Sequence, residues 1–392
     1  MERHLTEKLQ VLMPASSPLR AGRNKITITS VPPDSHIRSY DCSPMECTDP
    51  TFRPALVVHG PEAFDAGDVE YLRDVLAPFR ILVAGVMART AAEESGIPCE
   101  FCKRPPSVVM SSLPGSFILV NRGKNAESGR IFGEIVASRL GMRGLVHIEC
   151  SSGTVYCWNP DENNRELSGI IAGKCGYELE EQDVPCIPPS PERRIRGCIP
   201  GEAVYINGIV IGHALSDEVR LGYDGREIVP VSGIRIKPHG LEKLEKRAPV
   251  DLCSAWCKSG TIRTYMPKQA GRARTTGYVL VIDHCGHELY GRINEEVCGV
   301  LSIGDDTTAV CGHICAHLGV PVFGIVDGDG DGIVGAAFAP GSVVVEVKNE
   351  RDDDVGNAIK PLVPDEMTEW DLFCEKILLY LGDRVNISVR VS

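Results

Sequence analysis

The sequence predicts an α/β protein: a Rossmann-like N-terminal domain, a small β module and a second α/β domain. Three observations carry this. Short apolar runs alternate with helical periodicity from residue 51 to about 182, hairpin signals replace that alternation after a proline-rich segment, and it resumes near Thr276.

Residues 1–50 read as irregular, rich in Pro and Ser, with Cys42 and Cys47 close together. Ala55-Leu-Val-Val58 reads as a buried strand, Pro61 to Leu76 as a helix and Ile81-Leu-Val-Ala84 as a second strand. Phe117-Ile-Leu-Val120, a helix through Ile131-Phe132 and Ile135-Val136, and Leu145-Val-His-Ile148 continue the series. Strands separated by helices imply a parallel sheet with right-handed crossovers, here over 51–182. Segment 183–200 holds Pro185, Pro188, Pro189, Pro191 and Pro200 and is expected to be a stiff linker. Over 201–250, Asn207-Gly208 and Asp224-Gly225 lie between short apolar runs as hairpin turns.

Residues 251–275 form a basic connector with Lys258, Arg263, Lys268, Arg272 and Arg274. A solvated connector is the expectation, as it is for the patch Arg193-Arg194-Ile-Arg196, with a phosphate or RNA contact as the alternative. From 276 to 392 come strands at Tyr278–Ile282, Gly299–Ile303, Val320–Val326 and Ser342–Val347. Helices are expected over Thr307–Leu318 and Glu366–Leu381, the latter with Met367, Trp370, Phe373, Ile377 and Leu378 at helical spacing.

A net charge of −12 over 392 residues argues against a generic grip on nucleic acid, which needs basic surface. No apolar run approaches the length of a membrane span, and no export signal opens the chain, so a cytoplasmic location is expected. Sixteen cysteines then point to reduced thiols, with a zinc or iron–sulfur centre as the alternative. Cys99-Glu-Phe-Cys102 supplies only one C-x-x-C, and Cys311 and Cys315 share a helix face. Cys42/Cys47, Cys150/Cys157 and Cys253/Cys257 would complete four ligands only through tertiary structure.

The sharpest chemistry follows Val326, where Asp327-Gly-Asp329-Gly-Asp331-Gly332 sets three carboxylates at alternate positions. Glycines let the backbone turn so that the acids converge on one hard cation such as Mg²⁺. Position twelve of a calcium loop would be Phe338 rather than Glu, and a strand rather than a helix precedes it, so an EF-hand is not the reading. In open α/β sheets ligands gather beyond the carboxyl ends of the strands. The other C-terminal strand ends carry Asp283-His284-Cys-Gly-His287-Glu288 and Gly304-Asp305-Asp306-Thr307-Thr308. One of Asp305 and Asp306 could cap the following helix. Asp283, Asp305, Asp327, Asp329 and Asp331 are the candidate metal ligands, with His284 or His287 as general base. The run Glu350-Arg-Asp352-Asp353-Asp354 reads as a solvated turn.

Strand, acid, strand, helix, strand and then Asp-x-Asp resembles the layout of the Toprim metal domain, which implies Mg²⁺-dependent phosphoester chemistry. The first acid is normally Glu, and this chain offers Asp283 or the later Glu288. In the first domain, His59-Gly-Pro-Glu62 follows strand one, and Asn121-Arg122 precedes a helix start suited to a carboxylate or phosphate. His59, Glu62, Asn121 and Arg122 are therefore candidate ligand-binding residues. No dinucleotide fingerprint or P-loop is present.

His59-Gly-Pro-Glu62 with Asp65-x-Gly67, Ala84-Gly-x-Met-x-Arg-Thr90 and Asn207-Gly-Ile-Val-Ile-Gly212 recur in a fixed order with three later motifs. Those are Ile236-Lys-Pro-His-Gly-Leu-Glu242, Gly304-Asp-Asp-Thr-Thr308 and Asp327-Gly-Asp329. Together they resemble an uncharacterised archaeal family found mainly in methanogens, over about 55 to 360. The resemblance implies an archaeal cytoplasm and no mechanism. Two function classes stay open: a divalent-metal-dependent phosphoester or phosphoryl-transfer enzyme acting on a small phosphorylated molecule or nucleotide, and a non-catalytic nucleotide or metabolite binder with a structural metal loop.

Overall fold

Seven strands build the N-terminal sheet: β1 (Ala55–His59), β2 (Arg80–Ala84), β3 (Glu100–Cys102), β4 (Phe117–Asn121), β5 (Leu145–Glu149), β6 (Thr154–Trp158) and β7 (Glu178–Gln182). Their order is β3-β2-β1-β4-β5-β6-β7, parallel except for the antiparallel β5–β6 pair. Helices α1 (Glu62–Asp65), α2 (Asp68–Leu76), α3 (Val86–Ser95) and α6 (Glu162–Cys175) share a core with Leu56, Val58, Ile81, Val83, Ile118 and Val120. Helices α4 (Pro106–Ser112) and α5 (Ala126–Leu140) pack with Ala55, Val57, Leu82 and Leu119 on the other face. Both faces are covered, which is why these strands read as unbroken apolar runs rather than alternating ones. The strand order changes direction between β1 and β4, and that opens a crevice at their carboxyl ends.

The β module joins two small sheets over one core containing Val204, Ile206, Ile211, Val219 and Leu221. Its strands are β8 (Arg193–Arg196), β9 (Ala203–Ile206), β10 (Ile209–Ala214), β11 (Glu218–Tyr223), β12 (Ile228–Ser232), β13 (Ile234–Ile236) and β14 (Cys257–Ser259). The orders are β13-β10-β9-β14 and β12-β11-β8. Strand β8 comes from the segment read as linker, and β14 from the connector. Helix α7 (Pro238–Arg247) lies against β10, starting on a proline whose missing N–H costs nothing in a first turn.

The C-terminal sheet comprises β15 (Thr276–Asp283), β16 (Val297–Ile303), β17 (Val322–Val326), β18 (Val343–Val347), β19 (Thr368–Glu369) and β20 (Val385–Arg390), in the order β19-β15-β16-β17-β18-β20. The run β15 to β18 is parallel, and β19 and β20 add antiparallel edges. Helices α8 (Leu289–Arg292) and α9 (Asp305–Leu318) pack on one face, and α10 (Asp352–Ile359) and α11 (Trp370–Leu381) on the other. Helix α9 begins two residues before the expected Thr307, because Gly304 at φ 101° breaks the chain direction in place of a side-chain cap. The last helix starts at Trp370 because Thr368 and Glu369 pair with Gly277 and Thr276 instead.

The computed structural model describes residues 54–112, 117–141, 143–184, 192–224, 227–247, 250–252, 255, 257–327 and 337–392. Asp329, Asp331, Cys42, Cys47 and Cys253 lie outside them. Among the described residues no helix is long and apolar enough to cross a membrane. The solvated connector is corrected at one position. Arg263 is 7% exposed, pairing with Asp65 and, at 2.7 Å, with Glu94, so a guanidinium shared by two carboxylates ties this segment to α1 and α3. The patch on β8 is likewise ion-paired, Arg194 to Glu218 at 2.5 Å and Arg196 to Glu134.

Candidate metal centre

Four chain segments meet beyond the carboxyl edge of the C-terminal sheet. Strand β15 delivers Asp283 and His284, β17 delivers Asp327, α10 opens with Asp352 and Asp353, and α7 of the β module brings His239 and Lys243 one turn apart on a single face. Two groups of potential metal donors result: His239, Asp327 and Asp352, and Asp283, His284 and Asp353, with donor atoms in each group within 4.8 Å of one another. His284 Nε2 lies 3.9 Å from Asp352 Oδ2, which links the two. The sequence places His/Asp chemistry here that could coordinate a divalent cation.

Lys243 stands in the first group. Its Nζ donates to Asp352 Oδ1 at 2.6 Å and to Asp327 Oδ2 at 3.0 Å. Burial opposes its charge, yet the two carboxylates hold its pKa above the usual lysine value. His239 Nε2 is 3.4 Å from Asp327 Oδ2. Burial and then the Lys243 charge lower its pKa, so the imidazole is neutral near pH 7. In the second group burial alone would raise Asp283. Hydrogen bonds from His284 Nδ1 and Lys360 Nζ, both at 2.5 Å, instead keep its carboxyl well below the usual range.

His284 adopts φ 50°, an uncommon left-handed conformation for a residue with a side chain. Its ring lies where a Cβ on residue 304 would sit, 2.9 Å from Cδ2 and Nε2, so only glycine at 304 leaves room for it. A small cavity of about 30 Å³ is lined by His284, Gly304, Asp305, Asp306, His239 and Lys243. Beside it an open cleft of about 510 Å³ is walled by His213, Arg235, Lys237, His239 and Arg351, with Asp327 and Glu350. Cationic groups thus adjoin the acidic centre.

The crevice of the N-terminal sheet is differently furnished. Arg122 gives Nε and Nη2 to Asp68 at 2.6 and 2.9 Å, and Nη2 also reaches the Cys150 carbonyl. Asn121 is buried, and its Oδ1 accepts from His147 Nε2 at 2.5 Å. Both side chains are thus engaged by protein partners. His59 donates Nδ1–H to the Ala84 carbonyl at 3.0 Å and stacks on Phe132, with burial pulling its pKa down to about 4. Burial raises the Glu62 carboxyl. It also lowers Lys258, which feels the charges of Glu62 and Asp306 and so stands electrostatically between the two α/β domains.

The structure places Asp283 and His284 in one donor group and Asp327 in the other, and sets Asp305 beside His284 in the cavity wall. His287 is exposed on the turn Gly286–Glu288 and belongs to neither donor group. The described cysteines are free thiols, and among the described residues neither donor group contains one. Burial pushes Cys99 up to about 12 and Cys311 well above the usual thiol value. Asp352 is the residue that sequence reading misses. The solvated turn expected for 350–354 is corrected there, because Asp352 is fully buried against Lys243. The available signal was the spacing Lys-Pro-His239-x-x-x-Lys243, a cation one helical turn after an imidazole.

A family model described as "Uncharacterized protein conserved in archaea (DUF2117)" matches residues 56–366, a span that includes every residue of both donor groups. Uncharacterized protein MJ0065 of Methanocaldococcus jannaschii is 34% identical over 335 residues, covering 79% of this chain and 90% of that protein. No solved structure matches the chain. With a family match over most of its length and a relative at this identity, the chain belongs to that archaeal family.

Proposed function

We propose that this protein is a divalent-metal-dependent enzyme of phosphoester or phosphoryl-transfer chemistry, acting on a small phosphorylated molecule in the cleft beside the two donor groups. The observation that carries the reading is the junction of acidic donors from β15, β17 and α10 with a cleft walled by Arg235, Lys237 and Arg351. A cation held by the acids would polarise a phosphoryl oxygen or lower the pKa of a water. The basic wall binds the remaining phosphate oxygens, Arg351 and Arg235 through planar guanidinium forks and Lys237 as a point charge. His239, neutral near pH 7 and shared by centre and cleft, is positioned to accept a proton from an attacking water.

The Toprim-like reading of the C-terminal domain belongs to the same proposal. It is supported by Asp283 at the end of the first parallel strand and Asp327 directly after the strand two further on. A Rossmann-like reading of the N-terminal domain is supported by the order β3-β2-β1-β4-β5. The test is turnover of a panel of phosphomonoesters, phosphodiesters and nucleotides with Mg²⁺ or Mn²⁺, followed by phosphorus NMR. Metal-dependent release that His239→Ala abolishes supports the enzyme. A second reading, a non-catalytic metabolite binder, is favoured by Lys243, whose ammonium fills the His239/Asp327/Asp352 group and would make it structural. Binding of a phosphorylated ligand without any turnover would select that reading.

A further inference from the structure

We propose that one divalent cation is seated on His284 Nε2, Asp352 Oδ2 and Asp353 Oδ1, that Asp283 orients the imidazole instead of ligating, and that Lys243 closes the neighbouring group to a second ion. The inference deepens the metal part of the proposed function and is independent of the reaction.

Asp283 fixes the imidazole. Its Oδ1 accepts from His284 Nδ1 at 2.5 Å while Lys360 Nζ holds its other oxygen at 2.5 Å. With Nδ1 engaged by the carboxylate, Nε2 is the ring atom left to face a cation. A carboxylate behind a histidine in this way is the usual support of a metal-bound imidazole. The His284 side chain is only 6% exposed, and among the described residues Nε2 has no hydrogen bond. Its neighbours are Asp353 Oδ1 at 3.7 Å and Asp352 Oδ2 at 3.9 Å. Those separations are too long for hydrogen bonds. They suit donors that each stand about 2.1 Å from a shared ion, which lie roughly 3 to 4 Å apart.

Asp352 supplies an independent observation. Its side chain is fully buried, and Oδ2 has no hydrogen-bond partner. The other oxygen is fully engaged, accepting from Lys243 Nζ at 2.6 Å and from the Asp353 N–H at 2.9 Å. A carboxylate oxygen buried without a donor is costly, and a cation between it and His284 Nε2 would satisfy both atoms at once. The left-handed backbone of His284 and the space left by Gly304 hold the ring in this otherwise unfavourable place.

A second ion is opposed by charge. Lys243 Nζ already contacts Asp327 Oδ2 and Asp352 Oδ1, so an ammonium stands among the donors of the His239 group and repels a cation there. The donor set is then one imidazole and two carboxylates with open positions. That set favours Mn²⁺ or Zn²⁺ over Mg²⁺ and Ca²⁺, which prefer all-oxygen shells.

The full chain, stripped with chelator, is titrated with Mn²⁺ by calorimetry and by electron paramagnetic resonance of the free ion. One Mn²⁺ per chain is expected, bound more tightly than Mg²⁺. Asp353→Asn, at a side chain 33% exposed, should fold normally and weaken binding at least tenfold. Asp283→Asn should weaken it about 10- to 100-fold, the range for an outer-shell partner. Asp352→Asn should abolish it, with circular dichroism reporting the fold. No binding by the wild-type chain, two ions per chain, or affinity unchanged in Asp353→Asn would each overturn the assignment. Intact Mn²⁺ binding without phosphate turnover would sink the enzyme reading alone.

Discussion

The two α/β sheets treat their carboxyl ends in opposite ways. In the N-terminal sheet each polar group at a strand end is answered from within: Asn121 by His147, Arg122 by Asp68, and Glu149 by the Gly123 N–H together with Ser151 and Ser152. In the C-terminal sheet the equivalent positions leave His284 Nε2 and Asp352 Oδ2 without hydrogen bonds, and a lysine from another module is needed to balance Asp327. Buried polar groups are normally satisfied, so the end where satisfaction fails is the end to which the proposed ion is assigned. Position in the fold nominates a site, and the hydrogen-bond inventory selects between two nominees.

Removing charge should separate the two ends most sharply. Asp352→Ala leaves the buried Lys243 ammonium with Asp327 as its remaining carboxylate and is expected to destabilise the fold by about 3 kcal/mol in urea unfolding, the low end for a broken buried pair. Arg122→Ala removes a partly solvated pair and should cost clearly less, with Mn²⁺ binding unchanged. Equal losses would erase the contrast.

Acid should act first on the satisfied end. Burial holds His147 at about 3 against an ordinary 6.5, with Trp158 Nε1–H directed at its Nδ1. The folded state therefore resists protonation that the unfolded chain accepts. Stability from this group is fully present above pH 6.5 and declines as pH falls toward about 3, by a few kcal/mol in total. Thermal melts of His147→Gln should show a flatter profile over that window; a slope identical to wild type would remove His147 as its source.

Gly304→Ala tests the open end without touching a charge. It places a Cβ 2.9 Å from the His284 ring at φ 101°, and is expected to cost about 1–3 kcal/mol and to weaken Mn²⁺ binding. A variant with lowered melting temperature and native affinity would show that the ring position is irrelevant to the ion. The smallest effect belongs to the cleft wall. Lys237→Ala should raise KM for a phosphorylated substrate several-fold with kcat nearly unchanged, as expected on loss of an interaction equal in ground and transition states.

The alternation of strands and helices was legible because fully buried parallel strands leave unbroken apolar runs. Leu56 to Val58 and Val322 to Val326 illustrate it. Edges were harder: β20 is mostly exposed, so no apolar run marks it, and its pairing with β18 depends on a register no local pattern encodes. Asp283, His284 and Asp327 could be picked out because they directly follow strands. Asp352 could not, since three consecutive acids normally lie in water and only the remote Lys243 makes burial of one of them tolerable. Asn121 and Arg122 carried the right chemistry at the right place, but their partners Asp68 and His147 lie 54 and 26 residues away.

The origin of Lys243 bears on how the chain is made. Helix α7 precedes the C-terminal sheet in sequence, so the ammonium leaves the ribosome before Asp327 and Asp352 do. Each acid can meet its counter-charge as it emerges, provided the β module has already folded. A fragment starting at 276 has no such lysine at that position, and its buried Asp352 would face Asp327 across an unneutralised gap. The C-terminal sheet therefore depends electrostatically on a helix synthesised before it.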